Sequence, residues 1–358
     1  KISLKLYLAQ QKISLMKLRK IYFLVSFIAL FMLACGNDDD GSSIVPPRDR
    51  AEVYAEDIVE IEEFLSTHFY NYEDFDFDNP YSNIGNDSFE IIIDTIAGEN
   101  QDKLSLLDSP ELSYKMVVDD EGIEYKLYYL KIREGAGKEI HFTDRAFVTY
   151  EGASVTNSYV FDSAVTPIGF SLINVGSEGV IKGFSEALIE FKTSTAYVEN
   201  GDGTVSYTGH GIGAVFIPSG LAYFSEPLIG VPSYTPLMFK FGTLESTIMD
   251  HDNDGIPSYM EDLNENGDAY DEDTDEDFAP NFLDADDDGD GVLTKDEIEI
   301  PEPYVINSGD PDPVFASNEY EVRRVQEGMT ITIHTIILTD SNSDGIPDYL
   351  DENIAIEE

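Results

Sequence analysis

The last third of this chain carries a density of negative charge that restricts what it can fold into. The sequence of 358 residues has 71 Asp and Glu against 21 Lys and Arg, for a net charge of −50, and the acidic residues crowd after Ile248. Carboxylates this close together repel one another, so the region either stays solvated or collects cations. The same imbalance excludes nucleic acid as a partner, because binding its backbone needs a basic surface.

The spacing of these acidic residues favours cations. A calcium-binding loop of the EF-hand type needs oxygen ligands at positions 1, 3, 5 and 12, with Gly at position 6 for a sharp turn. Three segments meet this requirement: loop 1 (250–261), loop 4 (286–297) and loop 5 (340–351). Their ligand positions are Asp250, Asp252, Asp254 and Glu261, then Asp286, Asp288, Asp290 and Glu297, then Asp340, Asn342, Asp344 and Asp351. We therefore predict bound calcium in a structural role.

Two weaker copies lie between loops 1 and 4. Loop 2 (262–273) has Asn at two ligand positions, and in loop 3 (273–284) Phe278 stands where Gly is required, which argues against calcium there. Because the loops nearly abut, they resemble thrombospondin type 3 repeats, which implies that calcium replaces a core. A disordered, solvated acidic run is the alternative. We assign the repeats to 247–300, a connecting region with a strand over Thr330–Leu338 to 301–339, and loop 5 with the C-terminus to 340–358.

The N-terminal segment has the order of an export signal. A basic run, Met16–Lys20, precedes the apolar stretch Ile21–Ala34, which is too short to span a hydrocarbon core of about 30 Å. Its end, Leu33-Ala34-Cys35, resembles the lipobox of bacterial lipoproteins. That resemblance implies an acylated Cys35, a membrane partner through the lipid anchor and an outer-membrane location, on the periplasmic or the surface face.

The remaining N-terminal residues flank this signal. Residues 1–15 are expected to be an upstream mis-start, 16–34 the signal peptide and 35–50 an acidic tether, which resembles the surface-export signal of Bacteroidetes lipoproteins.

The middle of the chain predicts an α+β fold. A helix is expected over 51–70 within an N-terminal segment of 51–115, followed by a loop over 70–88 and a strand over 89–93. Further strands are expected over 123–132, 147–150, 160–161, 170–172, 214–217 and 237–241, with one short helix over 183–191 and a hairpin within 193–213. Many short strands with one short helix indicate an antiparallel sheet wrapped on that helix.

Five motifs in this region occur in the order typical of one enzyme family. They are Val148–Gly152 (V-T-Y-E-G), Val160–Ser163 (V-F-D-S), Gly179–Phe184 (G-V-I-K-G-F), Phe216–Tyr223 (F-I-P-S-G-L-A-Y), and Val231–Pro232 followed by Leu237–Phe241 (L-M-F-K-F). Together they resemble the FKBP-type peptidyl-prolyl cis/trans isomerases, over an expected domain of 116–246. The resemblance implies proline-containing polypeptides as substrates and no cofactor for catalysis.

The family resemblance also implies the site residues. The catalytic set is Asp162, Tyr223, Phe161, Tyr150 and Phe239, and the substrate-binding set is Phe170, Val180, Ile181, Phe184 and Val231. Aromatic residues are expected as walls of a pocket, with Val180 and Ile181 as its floor. Asp162, the Tyr223 hydroxyl and the Ile181 amide are expected to meet the ligand. The family's usual Trp is replaced by Phe184 here.

Two other functions remain open from the sequence. The same domain could bind polypeptides without catalysing isomerisation, or the acidic tail could be the working part, as a rigid spacer or adhesin.

Overall fold

The structure, a computed structural model, describes residues 46–176 and 179–354. The predicted mis-start, signal peptide and Cys35 lie outside these residues, as does the tether up to residue 45. Within the described part, no helix combines the length and apolar character needed to cross a membrane. The chain from Arg48 onward forms one compact unit.

Helix α1 spans Arg50–Thr67 and begins after Asp49, whose side chain accepts a hydrogen bond from the Glu52 amide. The helix expected over 51–70 is therefore present, but it ends earlier. His68–Tyr70 instead forms strand β1, which pairs with β2 at Ile93–Thr95. The strand expected over 89–93 is wrong, because β1 pairs with the chain only from Ile93 onward.

Six antiparallel strands form the main sheet, in the order β3-β4-β9-β10-β5-β6. Helix α2 (Lys182–Leu188) and a hairpin of β7 (Ala196–Glu199) and β8 (Val205–Thr208) lie between β6 and β9 in the chain. The sheet strands are β3 (Leu112–Val118), β4 (Glu124–Arg133), β5 (Arg145–Ser154), β6 (Val160–Ser171), β9 (Gly211–Ile217) and β10 (Leu237–Thr247).

This arrangement confirms the α+β class and corrects three details. The two short strands expected over 160–161 and 170–172 are one strand, β6, because β5 pairs with it along most of its length. Helix α2 ends at Leu188, before the expected 191. Strand β3 was not expected from the sequence, and it forms the edge of the sheet beside β4.

The main sheet is buried on both faces. Helix α2 covers one face through Phe184 and Leu188, whereas α1 covers the other through Ile61, Phe64 and Leu65. All seven residues of β9 are buried as a result, which explains why it reads as a continuous apolar run. The N-terminal segment thus supplies the second layer of the fold, a role that the sequence alone did not indicate.

The acidic tail has its own small sheet. Strands β11 (Ile298–Glu299), β12 (Tyr304–Asn307) and β13 (Glu319–Glu327) all pair with β14 (Thr330–Leu338), which is the strand expected there. A buried apolar cluster joins this sheet to loops 1 and 5. It consists of Ile298 of β11, Ile336 of β14, Ile256 of loop 1 and Tyr349 of loop 5. The tail therefore has an apolar core, although a small one.

The tail also packs against the main unit. Ala269 and Phe282 of loops 2 and 3 contact Ile173, in the connection between β6 and α2. The Tyr270 hydroxyl donates a hydrogen bond of 2.5 Å to the Asn174 carbonyl. The loops therefore contact the segment that leads to Val180 and Ile181.

Candidate functional site

Five aromatic side chains of the expected site pack into one cluster, which we call the aromatic pocket: Tyr150, Phe161, Phe170, Phe184 and Phe239. Phe184 is 1% exposed, and its ring centroid lies 4.8 Å from that of Phe239, 6.1 Å from Phe170 and 6.3 Å from Tyr150. Phe161 meets Phe239 edge-on at 5.7 Å. Phe184 is therefore the most deeply buried of the five rings.

Two glycines allow these rings to approach. Gly152 of β5 pairs with Phe239 of β10, and a Cβ atom at Gly152 would lie 2.7 Å from Phe239 Cε1 and 2.9 Å from Phe161 Cζ. In α2, a Cβ atom at Gly183 would lie 2.3 Å from Ile217 Cγ2. Glycine at both positions thus lets α2 contact the sheet closely, so that Phe184 lies against Phe239.

Polar groups lie at the edge of the aromatic pocket. The Tyr150 hydroxyl donates a hydrogen bond of 2.6 Å to Asp162 Oδ2, and Asp162 is exposed. Burial raises the pKa of Tyr150, and the hydrogen bond to the Asp162 carboxylate raises it further. Burial and the charge of Asp162 also raise the pKa of Tyr223, so the Tyr223 hydroxyl lies near the same carboxylate. The arrangement places the Asp162 carboxylate and the Tyr150 phenol beside the aromatic rings.

The three aliphatic residues of the expected site pack on the same core. Val231 is 4% exposed, and Val180 and Ile181 are half-buried and pack against the same cluster. Ile181 is the residue that caps the start of α2. The structure thus brings all ten sequence-predicted pocket residues together.

Helix α1 holds the turn that carries Tyr223. The amide and the hydroxyl of Ser219 both donate to Asp57 Oδ2, at 2.8 and 2.6 Å, and Asp57 is 2% exposed. Arg50 Nη1 donates to the Gly220 carbonyl at 3.0 Å. Asp57 was not predicted from the sequence: helix periodicity places it on the apolar face, four positions from both Val53 and Ile61, but does not indicate its partner.

The β7–β8 hairpin forms within the expected insertion and lies away from the aromatic pocket. The Tyr207 hydroxyl interacts with Glu245, and the Gly209 amide donates to Asp87 at 2.9 Å. These contacts place the hairpin near the end of β10 that is farther from Phe239.

The acidic loops repeat one local geometry. In each of the five, the amide at position 7 donates to the side chain at position 5, which is Asp254, Asn266, Asp277, Asp290 and Asp344 in turn. Phe278 in loop 3 has a φ of 80°, close to the 82° of Gly267 at the same position. Its amide also donates to Asp273 at 3.0 Å, as Gly255 does to Asp250 at 3.1 Å. Phe278 therefore adopts the glycine conformation, and its side chain does not prevent the loop from forming.

Carboxylate oxygens converge in several of these loops. Asp250, Asp252 and Asp254 form one group in which the ligand atoms lie within 4.8 Å, and Asp273, Asp275 and Asp277 form another, as do Asp286, Asp288 and Asp290. Buried oxygens of Asp252, Asp286, Asp288, Asp290 and Glu297 have no hydrogen-bond partner among the described residues. Burial and neighbouring Asp288 raise the pKa of Glu297 to about 8. This chemistry fits a divalent cation with oxygen ligands.

Loop 5 differs from loops 1 and 4. The Asn342 side chain donates to Asp351 Oδ2 at 2.8 Å, and the Asn353 side chain donates to Asp351 Oδ1 at 2.9 Å. The expected ligand Asp351 thus already has protein partners. Among the described residues, Asp340 and Asp344 belong to no group of three acidic side chains whose oxygens lie within 4.8 Å of one another.

Comparison with known proteins gives partial matches. A family model described as BamM C-terminal matches residues 251–321, which run from loop 1 through loop 4 to the first residues of β13 and leave out loop 5. No curated protein sequence matches this chain.

Three solved structures resemble part of the chain. A peptidyl-prolyl cis-trans isomerase from Pseudomonas syringae pv. tomato is 21% identical, with a TM-score of 0.28, covering 38% of this chain and 82% of its own. FkpA from Escherichia coli is 24% identical, with a TM-score of 0.27, covering 37% of this chain and 51% of its own. AtFKBP13 is 24% identical, with a TM-score of 0.26, covering 37% of this chain and 99% of its own. These likenesses are too low to carry a functional argument.

Proposed function

We propose that this chain is an FKBP-type peptidyl-prolyl cis/trans isomerase that acts on exported, proline-containing polypeptides. The observation that carries the proposal is the aromatic pocket, in which the buried Phe184 ring lies against Phe170 and Phe239 and the exposed Asp162 accepts a hydrogen bond from Tyr150. The order of the five sequence motifs supports it independently.

Such a pocket suits the chemistry of the X-Pro bond. Rotation about the bond breaks amide resonance and meets a barrier of about 18–20 kcal/mol. The twisted amide is less polar than the planar one, so surroundings without water favour it. Rings that exclude water therefore lower the barrier by binding the twisted form more tightly than either planar form. This reaction requires no nucleophile and no cofactor.

The polar residues would orient the substrate. Tyr150 holds Asp162 through the 2.6 Å hydrogen bond, so the carboxylate has a fixed position at the pocket edge. We assign the Tyr223 hydroxyl and the Ile181 amide as donors to substrate carbonyls. Val180 and Val231 then contact the chain on either side of the proline ring.

A protease-coupled assay on a short X-Pro peptide tests the proposal. Wild type should accelerate cis-to-trans conversion, and Asp162→Ala should lower kcat/KM, while the fold stays intact because Asp162 is exposed. Asp202→Ala, which removes an exposed carboxylate from the β7–β8 turn, should leave kcat/KM unchanged. An unaccelerated reaction with wild type would contradict isomerase activity.

We also propose that the acidic loops bind calcium as a structural cation. The unpartnered buried oxygens of loops 1 and 4 support this proposal most directly. The ligands would be Asp250, Asp252, Asp254 and Glu261 in loop 1 and Asp286, Asp288, Asp290 and Glu297 in loop 4. Bound calcium would neutralise carboxylates that otherwise repel one another. Isothermal titration calorimetry of chelator-treated protein should detect binding, and no heat of binding would count against the proposal.

We further propose that Cys35 anchors the protein to the outer membrane through acyl chains. The Leu33-Ala34-Cys35 ending supports the anchor, and the match to the BamM C-terminal model is consistent with an outer-membrane association. Cys35→Ser should move the protein from the membrane fraction to the soluble fraction. Unchanged fractionation would refute the anchor.

A further inference from the structure

Three carboxylates from two different loops meet in the interior of the tail. Asp254 and Glu261 belong to loop 1, and Asp287 belongs to loop 4, yet one oxygen of each lies within 4.8 Å of the others. Asp287 occupies position 2 of its loop, which is not a ligand position in the EF-hand pattern. The sequence therefore gave no reason to include it. Glu261 is 0% exposed, Asp254 1% and Asp287 2%, so water reaches none of them.

Protein donors satisfy only part of this group. Asp254 Oδ1 accepts from the Ile256 amide at 2.7 Å, and Asp287 Oδ2 accepts from the Thr294 hydroxyl at 3.0 Å. Asp254 Oδ2, Asp287 Oδ1 and both oxygens of Glu261 have no hydrogen-bond partner among the described residues. Buried carboxylates are rarely left in this condition, because each loses its hydration without gaining a donor.

The Asp287 carboxylate has one neutral partner within its own loop, Thr294. Asp287 is fixed by Thr294, which both donates from its hydroxyl and accepts from the Asp287 amide at 3.2 Å. That contact orients the carboxylate and leaves Oδ1 for another partner. Because no lysine or arginine of the described residues donates to these four oxygens, the remaining candidates are a cation or shared protons.

We propose that Asp254, Glu261 and Asp287 hold one Ca²⁺ shared between loop 1 and loop 4. The proposal extends the calcium binding assigned above, because it adds a site that neither loop forms alone. Asp254 and Glu261 are also among the ligands assigned above to the ion of loop 1, so each would contact two neighbouring ions, and both oxygens of Glu261 are without a protein partner among the described residues. Flexible oxygen coordination by several carboxylates is what Ca²⁺ favours over Mg²⁺.

The shared ion would fix the tertiary structure of the tail. It joins two segments that loops 2 and 3 separate in the chain, beside the buried cluster of Ile256, Ile298 and Tyr349. An ion bound within one loop orders only that loop, whereas this one closes the whole of 250–297. Its loss should therefore loosen loops 2 and 3 as well, although Asp287 contributes no ligand to them.

Two variants of Asp287 in the full chain test the proposal. Asp287→Leu replaces the carboxylate by an apolar side chain of similar size. In calorimetry with Ca²⁺ alone, this variant should bind one ion fewer per chain than wild type. Asp287→Asn keeps an acceptor for Thr294 but loses the charge. It should raise the melting temperature in chelator, where it relieves repulsion, and lower it in saturating Ca²⁺, where it weakens the ion. Asp296→Asn, an exposed carboxylate of loop 4, is the matched control and should change neither.

The outcomes separate the shared site from calcium binding in general. If wild type binds Ca²⁺ and Asp287→Leu binds the same number of ions per chain, the shared site is overturned, but calcium binding within loops 1 and 4 is not. A melting temperature of Asp287→Asn that shifts in the same direction with and without Ca²⁺ would also overturn it, since a purely structural Asp287 behaves in that way. Wild type that binds no Ca²⁺ would overturn both proposals.

Discussion

Replacing Asp57 by Asn should change how the stability of the fold depends on pH. Asp57 lies on α1, is 2% exposed and accepts two hydrogen bonds from Ser219. Burial raises its pKa from the ordinary 3.8 to about 6, because the loss of hydration outweighs those two hydrogen bonds. The charges of Glu60 and Glu56 on the same helix act in the same direction.

The sign and size of the effect follow from this pKa. The folded state holds the proton more tightly than the unfolded state, so the contribution to stability is complete below pH 3.8 and is lost as the pH rises through about 6. The difference between 3.8 and about 6 corresponds to about 3 kcal/mol. Asn cannot ionise. Relative to wild type, the free energy of unfolding of Asp57→Asn should therefore increase by about 3 kcal/mol between about pH 4 and pH 7.

Urea denaturation of both proteins across this pH range, at one calcium concentration, measures the difference directly. The carboxylates of the acidic loops also titrate, but they are common to both proteins and distant sites contribute additively. Glu63→Gln, an exposed carboxylate on the same helix, should give a curve parallel to wild type. A parallel curve for Asp57→Asn, or a difference that shrinks towards pH 7, would refute the reasoning.

Three further predictions concern the pocket and the tail. Gly152→Ala should reduce kcat/KM on an X-Pro peptide, because its Cβ would lie 2.7 Å from Phe239 Cε1 and force the rings apart; unchanged kinetics would contradict the packing. Tyr223→Phe removes one hydroxyl and should cost ~0.5–1.5 kcal/mol, or roughly 2- to 13-fold in kcat/KM, and a loss of several hundredfold would assign Tyr223 a different role. Chelation should lower the melting temperature and increase proteolysis within 250–351, and identical melting and proteolysis with calcium and with chelator would argue against structural calcium.

Part of the aromatic pocket could be predicted from the sequence, because Tyr150, Phe161, Phe170 and Phe239 lie on regular strands. Alternation along β5 and β10 fixes which side chains share a face, so Tyr150 and Phe239 could be expected together once the strands pair. Family motifs gave the remaining members. The depth of Phe184 could not be predicted from the sequence, because it depends on how closely α2 approaches β9, and Gly183 allows that close approach.

The roles of Asp57 and Asp287 could not be derived from local pattern. Asp57 acts through Ser219, which lies far along the chain, and α1 gives no indication of which sheet face it covers. Asp287 stands at a non-ligand position, and its neighbours Asp254 and Glu261 come from another loop. Both residues depend on contacts distant in sequence, which periodicity and motif spacing do not encode. The backbone conformation of Phe278 could not be predicted from the sequence either, because the loop hydrogen bonds hold it at a positive φ that residues other than Gly rarely adopt.

NMR exchange spectroscopy can show whether the aromatic pocket catalyses X-Pro rotation. A short peptide with resolved cis and trans signals is measured alone and with a small amount of purified wild type. We expect exchange cross-peaks between the two isomers only when the protein is present, reduced with Asp162→Ala and retained with Asp202→Ala. Cross-peaks that remain absent with wild type, even where the peptide signals shift on binding, would contradict catalysis and leave a polypeptide-binding module instead.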